Sequence, residues 1–413
     1  MSFHAARRIA DAILYEGYVL YPYRASSRKN RYRWTFGVVA PRTWSAAGGC
    51  EPSAATLECL VETRDGVVPA IEGCLRFLHV ERRTVEAALP AGGFAAVESL
   101  TADGERHITW EDGIEREVPF TVTAAAPPVE RALPGSREAR PLFDDGRVIG
   151  RVVRTVRPLA LTLRASTEPA GPGLVKLTIA VENVSAIADL GAPREEAVAA
   201  ALVGAHLILS VRDGAFVSLL DPPASARAAA AACRNVGLFP VLAGEPGTRG
   251  LLFASPIVLY DHPQIAQESP GDSFDGTEID ELLTLSTRVL TDEEKIEARA
   301  TSRRAAEVID RAERLSDAAM LQLHGRGSAP GAIARGCRVR VRLAAPKGTR
   351  RTDAQDMFLD GRVGVVEEVR QDVDGGTHFA ILLEDDPGAD LHRWYGRHLH
   401  FRPDELELVE PAS

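Results

Sequence analysis

The chain has 413 residues, a formal net charge of −10 and 26% charged residues, a composition typical of folded proteins and not of disordered ones. This length predicts two or three domains. No segment approaches the roughly 18 uninterrupted apolar residues that a membrane-spanning helix needs, and the first residues lack a secretory signal pattern. The five cysteines are widely spread without a C-x-x-C pair, which argues against a disulfide framework or cysteine zinc site and favours a cytoplasmic location.

A short amphipathic helix is predicted over residues 3–16, and a stretch rich in basic and aromatic residues follows at 21–34. Such a stretch can neutralise phosphates and stack on bases, or anchor a protein interface, or form a solvated loop whose aromatic residues are core. We expect a partner protein and not nucleic acid, because the basic run is short and the pI is about 5.6. The candidate partner-binding residues here are Arg24, Arg28, Lys29, Arg31, Tyr32, Arg33 and Trp34.

Alternating apolar and polar residues predict antiparallel strands in two regions, 1–123 and 142–324. Asp112-Gly113 and Asp213-Gly214 are each predicted to form the turn of a hairpin. Ala-rich helices are expected around 193–203 and 223–234. The stretches 124–141 and 325–332, rich in Pro, Gly and small residues, are predicted linkers. Whether the two β-rich regions share one core stays open at this level.

The most unusual stretch is acidic, with eleven Asp or Glu against three Lys or Arg in residues 261–300. Thr277 is a candidate cap for a first helix, and Thr291 with Glu294 has the spacing of a capping box that starts a second helix over 292–315. We expect this surface to bind a partner protein or, alternatively, the basic stretch of the same chain. The candidate contact residues are Asp272, Asp275, Glu278, Asp280 and Glu281.

A metal site is the alternative interpretation of the acidic stretch. His262 stands beside its carboxylates, but the spacing matches no EF-hand. Near the C-terminus, His398 and His400 would lie on one face of a strand, a workable pair of ligands. The chain has no nucleophile elbow, Walker loop or dinucleotide motif, so no catalytic residue or cofactor is predicted. The alternative function is therefore a metal-dependent hydrolase or a metal chaperone using the 261–281 carboxylates or the 398–400 histidines.

Residues 333–413 are predicted to form a separate module of short strands. Residues 336–410 resemble the SH3-like barrel at the C-terminal end of nitrile hydratase β subunits. The residues that carry the resemblance are GCRVRV from Gly336, Thr349-Arg350, GRVGVVE from Gly361, and LHF from Leu399 with PDEL from Pro403. The resemblance implies a subunit contact and is not carried over to nitrile hydration.

Most of the chain resembles a family of actinobacterial-type proteins encoded near high-affinity nickel-iron hydrogenases. The stretches that carry this resemblance are ILYEGYVLYPYRASSRKNRYRW, FVSLLDPP, SPIVLYDHPQIAQESPGDSFDGTEIDELL and LTDEEKIEARA. It implies a non-catalytic accessory or assembly protein whose partner is a hydrogenase subunit. The expected fold is α+β, with a mainly antiparallel β body, a helical segment and a C-terminal SH3-like small barrel.

Overall fold

The computed structural model describes residues 3–63, 69–122, 127–265, 271, 273–274, 280–316, 333, 335–342, 359, 361–371, 377–385 and 398–410. It divides into two compact units, Met1–Leu323 and His324–Ser413. Antiparallel strands dominate and helices are few, which confirms the predicted class at its coarse level. Among these residues, no helix is long and apolar enough to cross a membrane.

The first unit is built from fifteen described strands and seven described helices. The strands are β1 (Ala54–Thr63), β2 (Ala70–Ala88), β3 (Phe94–Val97), β4 (Ser99–Ala102), β5 (Glu105–Ile108), β6 (Trp110–Val122), β7 (Val129–Leu133), β8 (Ser136–Asp144), β9 (Arg147–Val156), β10 (Leu159–Gly171), β11 (Leu174–Asn183), β12 (Val203–Arg212), β13 (Gly214–Val217), β14 (Phe239–Ala243) and β15 (Leu251–Ser255). The helices are α1 (His4–Leu14), α2 (Arg42–Ala46), α3 (Arg194–Val198), α4 (Arg227–Ala232), α5 (Asp280–Arg288), α6 (Asp292–Thr301) and α7 (Arg303–Arg314).

Two antiparallel sheets supply the main core of this unit. One has the order β13-β1-β11-β10-β7, and the other has the order β14-β15-β12-β2-β9-β8 with β3 and β6 also paired to β2. Inward-facing residues alternate along the strands, as Leu57 does on β1, Phe77 on β2 and Ile179 on β11, and they form one apolar cluster. Strands on both sides of the predicted linker at 124–141 contribute to that cluster, so the two β-rich regions share one core.

The predicted linker at 124–141 contains β7 and β8 among its described residues. Each of these strands lies at the edge of one of the two sheets. Nearly all residues of β8 are exposed, and it carries Arg137, Glu138, Arg140 and Pro141. An exposed edge strand needs no apolar alternation, and charged residues with proline protect such an edge from pairing. The composition of 124–141 therefore predicted an irregular connector where the chain forms strands.

The predicted hairpin at Asp112-Gly113 is wrong. Both residues lie inside β6, where Asp112 pairs with Glu81 and Gly113 with Val80 of β2. A Cβ atom on Gly113 would come within 2.9 Å of the Leu78 side chain, so this glycine allows close packing and not a turn. Asp213 does adopt a left-handed turn conformation, with φ of 60°, but the chain there passes from one sheet to the other.

The acidic stretch forms helices α5 and α6, as predicted, with a break that was not predicted. The capping box of Thr291 and Glu294 is confirmed, since each side chain accepts a hydrogen bond from the backbone of the other. The single helix expected over 292–315 is two helices. Ser302 is extended, with φ of −156° and ψ of 161°, and its hydroxyl caps α7 by accepting from the Ala305 N–H.

The second unit contains β16 (Arg338–Val341), β17 (Val363–Gln371), β18 (Thr377–Leu383), β19 (Leu399–Phe401) and β20 (Leu406–Glu410). They form one antiparallel sheet in the order β19-β18-β17-β16-β20. Val339, Val341, Ile381 and Phe401 are central to its buried cluster. A 3₁₀ turn, Pro403–Glu405, divides the last predicted strand into two. In the described part of this unit the sheet is open, so a closed barrel is not shown.

Candidate functional site

The basic-aromatic loop, residues 21–34, packs against the acidic helices of the same chain. The guanidinium of Arg24 lies 3.0 Å from a carboxylate oxygen of Glu294 on α6. The N–H of Ser26 donates to Glu297 at 3.0 Å, and the N–H of Ala25 donates to the Thr301 hydroxyl at 3.1 Å. Some residues of the basic-aromatic loop therefore contact the acidic stretch of the same chain, which was the alternative to an external partner.

Arg33 of this loop lies in the interior. Its side chain is 5% exposed, and its guanidinium donates to the carbonyl oxygens of Tyr18 at 3.1 Å and Glu111 at 2.6 Å. It also stacks 3.5 Å from the centre of the Trp110 ring and 4.7 Å from that of Trp34. Burial lowers the pKa of Arg33 to about 10, so the group stays cationic at neutral pH. It joins the loop, the β6 backbone and three aromatic rings into one core.

The other candidate residues of the loop differ in exposure. Trp34 is 3% exposed and donates its indole N–H to the Glu111 carboxylate at 3.3 Å. Arg28 and Lys29 are exposed. Arg31 and Tyr32 belong to the 3₁₀ turn Lys29–Tyr32, but their side chains lie outside the described residues. Binding of a partner by these residues stays a prediction, and among the side chains described it would fall to Arg28 and Lys29.

Two of the acidic candidates begin α5, and exposed apolar side chains follow them that the charge count concealed. Asp272, Asp275 and Glu278 lie outside the described residues, whereas Asp280 and Glu281 are the first two residues of α5 and their side chains are not described. On α5, on the turn directly after it and on α6, four large apolar side chains are 43–80% exposed. They are Leu282, Leu285, Val289 and Ile296.

The signal for this face is present in the sequence. Leu282, Leu285 and Val289 recur at i, i+3 and i+7, which places them on one side of a helix. A second set, Leu283 and Leu290, is buried against the body. Helix α5 therefore has apolar side chains on two sides. One side packs against the rest of the chain, and the other is exposed in the described structure.

The metal candidates have other contacts. The Asp261 carboxylate accepts hydrogen bonds from the Ser218 hydroxyl at 2.5 Å and from the Leu242 N–H at 2.7 Å. His262 Nδ1 lies 3.2 Å from the Gly244 carbonyl oxygen. These contacts fasten the 261–262 segment to β14 and the following turn. A metal role for His262 stays a prediction.

His398 and His400 accompany β19, where His400 pairs with Ala380 of β18. Partial burial lowers the pKa of His400, and the nearby positive charge of Arg370 lowers it further. Among the described residues of the chain, no group of three or more His, Cys, Asp or Glu side chains is arranged to hold a metal ion. The pairing of these two histidines as ligands therefore stays a prediction as well.

Sequence reasoning missed a cleft of about 410 Å³ between β5, β8 and β9 on one side and the junction of α6 with α7 on the other. Six arginines and two glutamates line it among the described residues. These arginines come from six separate elements between Arg83 and Arg303, so their approach depends on the tertiary fold. No local pattern in the sequence carries that information.

No protein-family model matches the chain, and no curated protein is significantly similar to it. The two surfaces that the fold leaves with unused binding capacity are the apolar face of α5 and α6 and the arginine-lined cleft.

Proposed function

We propose that the protein is a non-catalytic accessory protein that binds a partner protein through the α5–α6 face, defined as Leu282, Leu285, Val289 and Ile296. The observation that carries this proposal is the exposure of these four side chains, which reaches 80% at Val289. Large apolar side chains exposed together on one side of a helix, as Leu282 and Leu285 are on α5, are characteristic of interaction sites. Single exposed apolar residues need no explanation, but a set on two consecutive helices does.

The charge around this face indicates what kind of partner fits. Asp292 and Glu293 are exposed at the start of α6, and Asp280 and Glu281 open α5. A partner that offers apolar anchors surrounded by lysine or arginine would match both the apolar centre and the acidic rim. The rim charges steer association, so the association rate should fall as salt is added.

The resemblance to proteins encoded near nickel-iron hydrogenases makes a hydrogenase subunit the first partner to test. We further propose that the second unit is an SH3-like barrel and a second contact surface. Its strand order supports this proposal, because the first strand, β16, lies between β17 and the last strand, β20. A 3₁₀ turn directly before the last strand is also consistent with such a barrel. We also propose a cytoplasmic location, because none of the five cysteines forms a disulfide bond.

The test is site-specific photo-cross-linking in the native host, followed by affinity measurements with the captured protein. A cross-linking residue at position 289 should capture a defined partner that the same residue at position 236 does not. With that partner purified, Leu285→Glu/Val289→Glu should raise Kd at least ten-fold, as expected for loss of a central apolar contact.

The matched control is Val236→Glu/Val258→Glu, which adds the same charge at two exposed valines elsewhere, 58% and 68% exposed. We expect this control to change Kd by less than about three-fold, since rim and remote charges affect mainly the association rate. Equal losses in the two double variants would show that negative charge in general weakens the complex, and the α5–α6 face would not be the contact.

A further inference from the structure

We propose that the arginine-lined cleft binds a small phosphorylated compound, a function separate from partner binding by the α5–α6 face. The cleft is about 410 Å³, within the range of roughly 300–1,000 Å³ that is usual for small-molecule sites. Its described lining contains Glu105 and Glu138 against six arginines, which are Arg83, Arg106, Arg140, Arg154, Arg299 and Arg303.

The strand register brings two of these arginines face to face. Arg83 of β2 pairs directly with Arg154 of β9. Like charges in directly opposite positions destabilise a sheet. Asp112 offsets part of this repulsion from 3.8 Å and 4.0 Å, and Glu81 forms a close ion pair with Arg154. An anion bound in the cleft would further reduce the repulsion between Arg83 and Arg154.

Two further arginines approach the cleft without a charge partner. Arg106 on β5 and Arg140 on β8 are both exposed, and neither forms an ion pair or a side-chain hydrogen bond among the described residues. Arg140 lies opposite Val152 of β9, next to the row that holds Arg154. Guanidinium groups recognise phosphate through pairs of parallel N–H donors, and two unpaired ones can both contact the same group of oxygens.

The helical wall contributes in the same direction. Arg299 and Arg303 are paired with carboxylates on α7 that do not line the cleft. Arg303 is the first residue of α7, a helix of twelve residues with no acidic residue in its first turn. The backbone N–H groups at the start of a helix carry partial positive charge and favour an anion. Ser302 and Arg303 place that helix start at the cleft.

The lining favours a compact, highly charged ligand over a nucleobase or a protein segment. Among the described lining residues the one aromatic ring is that of His107, and there is no Phe, Tyr or Trp to form the second side of a stacking site for a base. The apolar part is small, with Leu142 and Val152 belonging to a buried cluster beneath. A phosphate group that carries two negative charges can accept hydrogen bonds from several of the guanidinium groups in the cleft at once. The class of ligand is therefore a phosphate or diphosphate ester of small size.

The experiment is isothermal titration of the full chain with inorganic pyrophosphate and, separately, with inorganic phosphate. We expect saturable binding of pyrophosphate with one site per chain. Arg106→Ala/Arg140→Ala should weaken it at least ten-fold, because each lost charge-assisted hydrogen bond to phosphate contributes at least about that factor. Both residues are exposed and unpaired in the described structure, so the variant should fold, and circular dichroism checks that it does.

The matched control is Arg137→Ala/Arg147→Ala, which removes two exposed arginines of β8 and β9 that do not line the cleft. The control should bind pyrophosphate within about two-fold of the unchanged protein, since screened charges outside the cleft contribute little. Absence of pyrophosphate binding, or equal weakening by both double variants, would overturn the proposal. Displacement of pyrophosphate by an equally charged oligoglutamate peptide at similar concentration would also overturn it, because the cleft would then recognise negative charge and not phosphate.

Discussion

Arg33 and Arg76 of the interior differ from Arg106 and Arg140 of the cleft in what surrounds their guanidinium groups. Arg33 and Arg76 have side chains that are 5% and 2% exposed. Arg33 donates to two backbone carbonyls, and Arg76 pairs with Asp11 at 2.6 Å and with Glu117 at 3.0 Å. Arg106 and Arg140 are exposed and have no such partner in the described structure.

This difference separates charges that hold the fold from charges that are available for binding. A guanidinium removed from water recovers most of its hydrogen bonds inside the protein, which fixes its position. Arg76 still leaves Nη1 buried without a hydrogen-bond partner in the described structure. An exposed guanidinium is hydrated, and it can exchange water for a ligand at little cost to the fold. Arginines of both kinds occur in this chain, and charge alone does not distinguish them.

The largest expected effect is loss of stability when Arg33 is removed. Arg33→Ala leaves the Tyr18 and Glu111 carbonyl oxygens without their donor and opens space between the Trp34 and Trp110 rings. We expect the free energy of unfolding to fall by about 3–5 kcal/mol, as for other broken buried polar contacts. Urea unfolding followed by tryptophan fluorescence measures it. A loss below about 1 kcal/mol would contradict a structural role for this charge.

The sequence predicted more of the fold than of the candidate sites. Periodicity located α1, the paired strands β10 and β11, and the capping box of Thr291. It failed where a residue acts through a distant neighbour. Gly113 is a glycine because of Leu78 on the next strand, which no local turn rule can anticipate.

The surroundings of the candidate site residues could not be predicted from the sequence for a similar physical reason. Arg33 stood in a run of basic residues and was predicted to contact a partner, whereas burial against Trp110 depends on a strand almost 80 residues away. The cleft combines residues from β2, β5, β8, β9 and the α6–α7 junction, so its charge is spread thinly along the chain. The exposed leucines of α5 were visible at helical spacing, but the interpretation followed the acidic residues beside them.

The buried histidines differ from the buried arginines in charge. At neutral pH a buried histidine is neutral, whereas a buried arginine stays protonated. Burial lowers the pKa of His206 to about 3 and that of His79 to about 4, with nearby Arg76 and Arg116 acting in the same direction. The unfolded chain, with a histidine pKa near about 6.5, therefore binds more protons than the folded one below that pH. Stability is full above pH 6.5 and is lost as the pH falls towards the folded pKa.

The expected loss is about 1.4 kcal/mol per pH unit for each histidine, or about 2 kcal/mol from His206 between pH 6.5 and pH 5. His206→Asn keeps a donor for the Gly204 carbonyl oxygen, which lies 2.8 Å from Nδ1, and removes the titrating group. Unfolding free energies measured from pH 7.5 to 5 should show a slope reduced by about one proton in this variant. An unchanged slope would mean that His206 does not titrate between the two states.

The smallest expected effect on stability comes from removing the two unpaired arginines of the cleft. Arg106→Ala/Arg140→Ala should change the free energy of unfolding by no more than about 0.5 kcal/mol, because surface residues without partners contribute little. A slight gain is consistent with the same structure, since each removed charge lessens repulsion from Arg154 and Arg83. A loss of about 2 kcal/mol or more would place these arginines with Arg33 as structural charges.

Ligand-dependent stability sharpens the distinction between the two groups. Pyrophosphate that binds only the folded chain should raise Tm in proportion to the logarithm of its concentration above Kd. We expect that rise in the unchanged protein and in Arg137→Ala/Arg147→Ala, whereas Arg106→Ala/Arg140→Ala should need at least ten-fold more pyrophosphate for the same rise. Arg33→Ala should begin from a lower Tm and still show a rise with pyrophosphate, because Arg33 does not line the cleft and acts on its residue Arg83 only through charge. Loss of the pyrophosphate response in Arg33→Ala would show that the two groups of arginines are coupled through the fold.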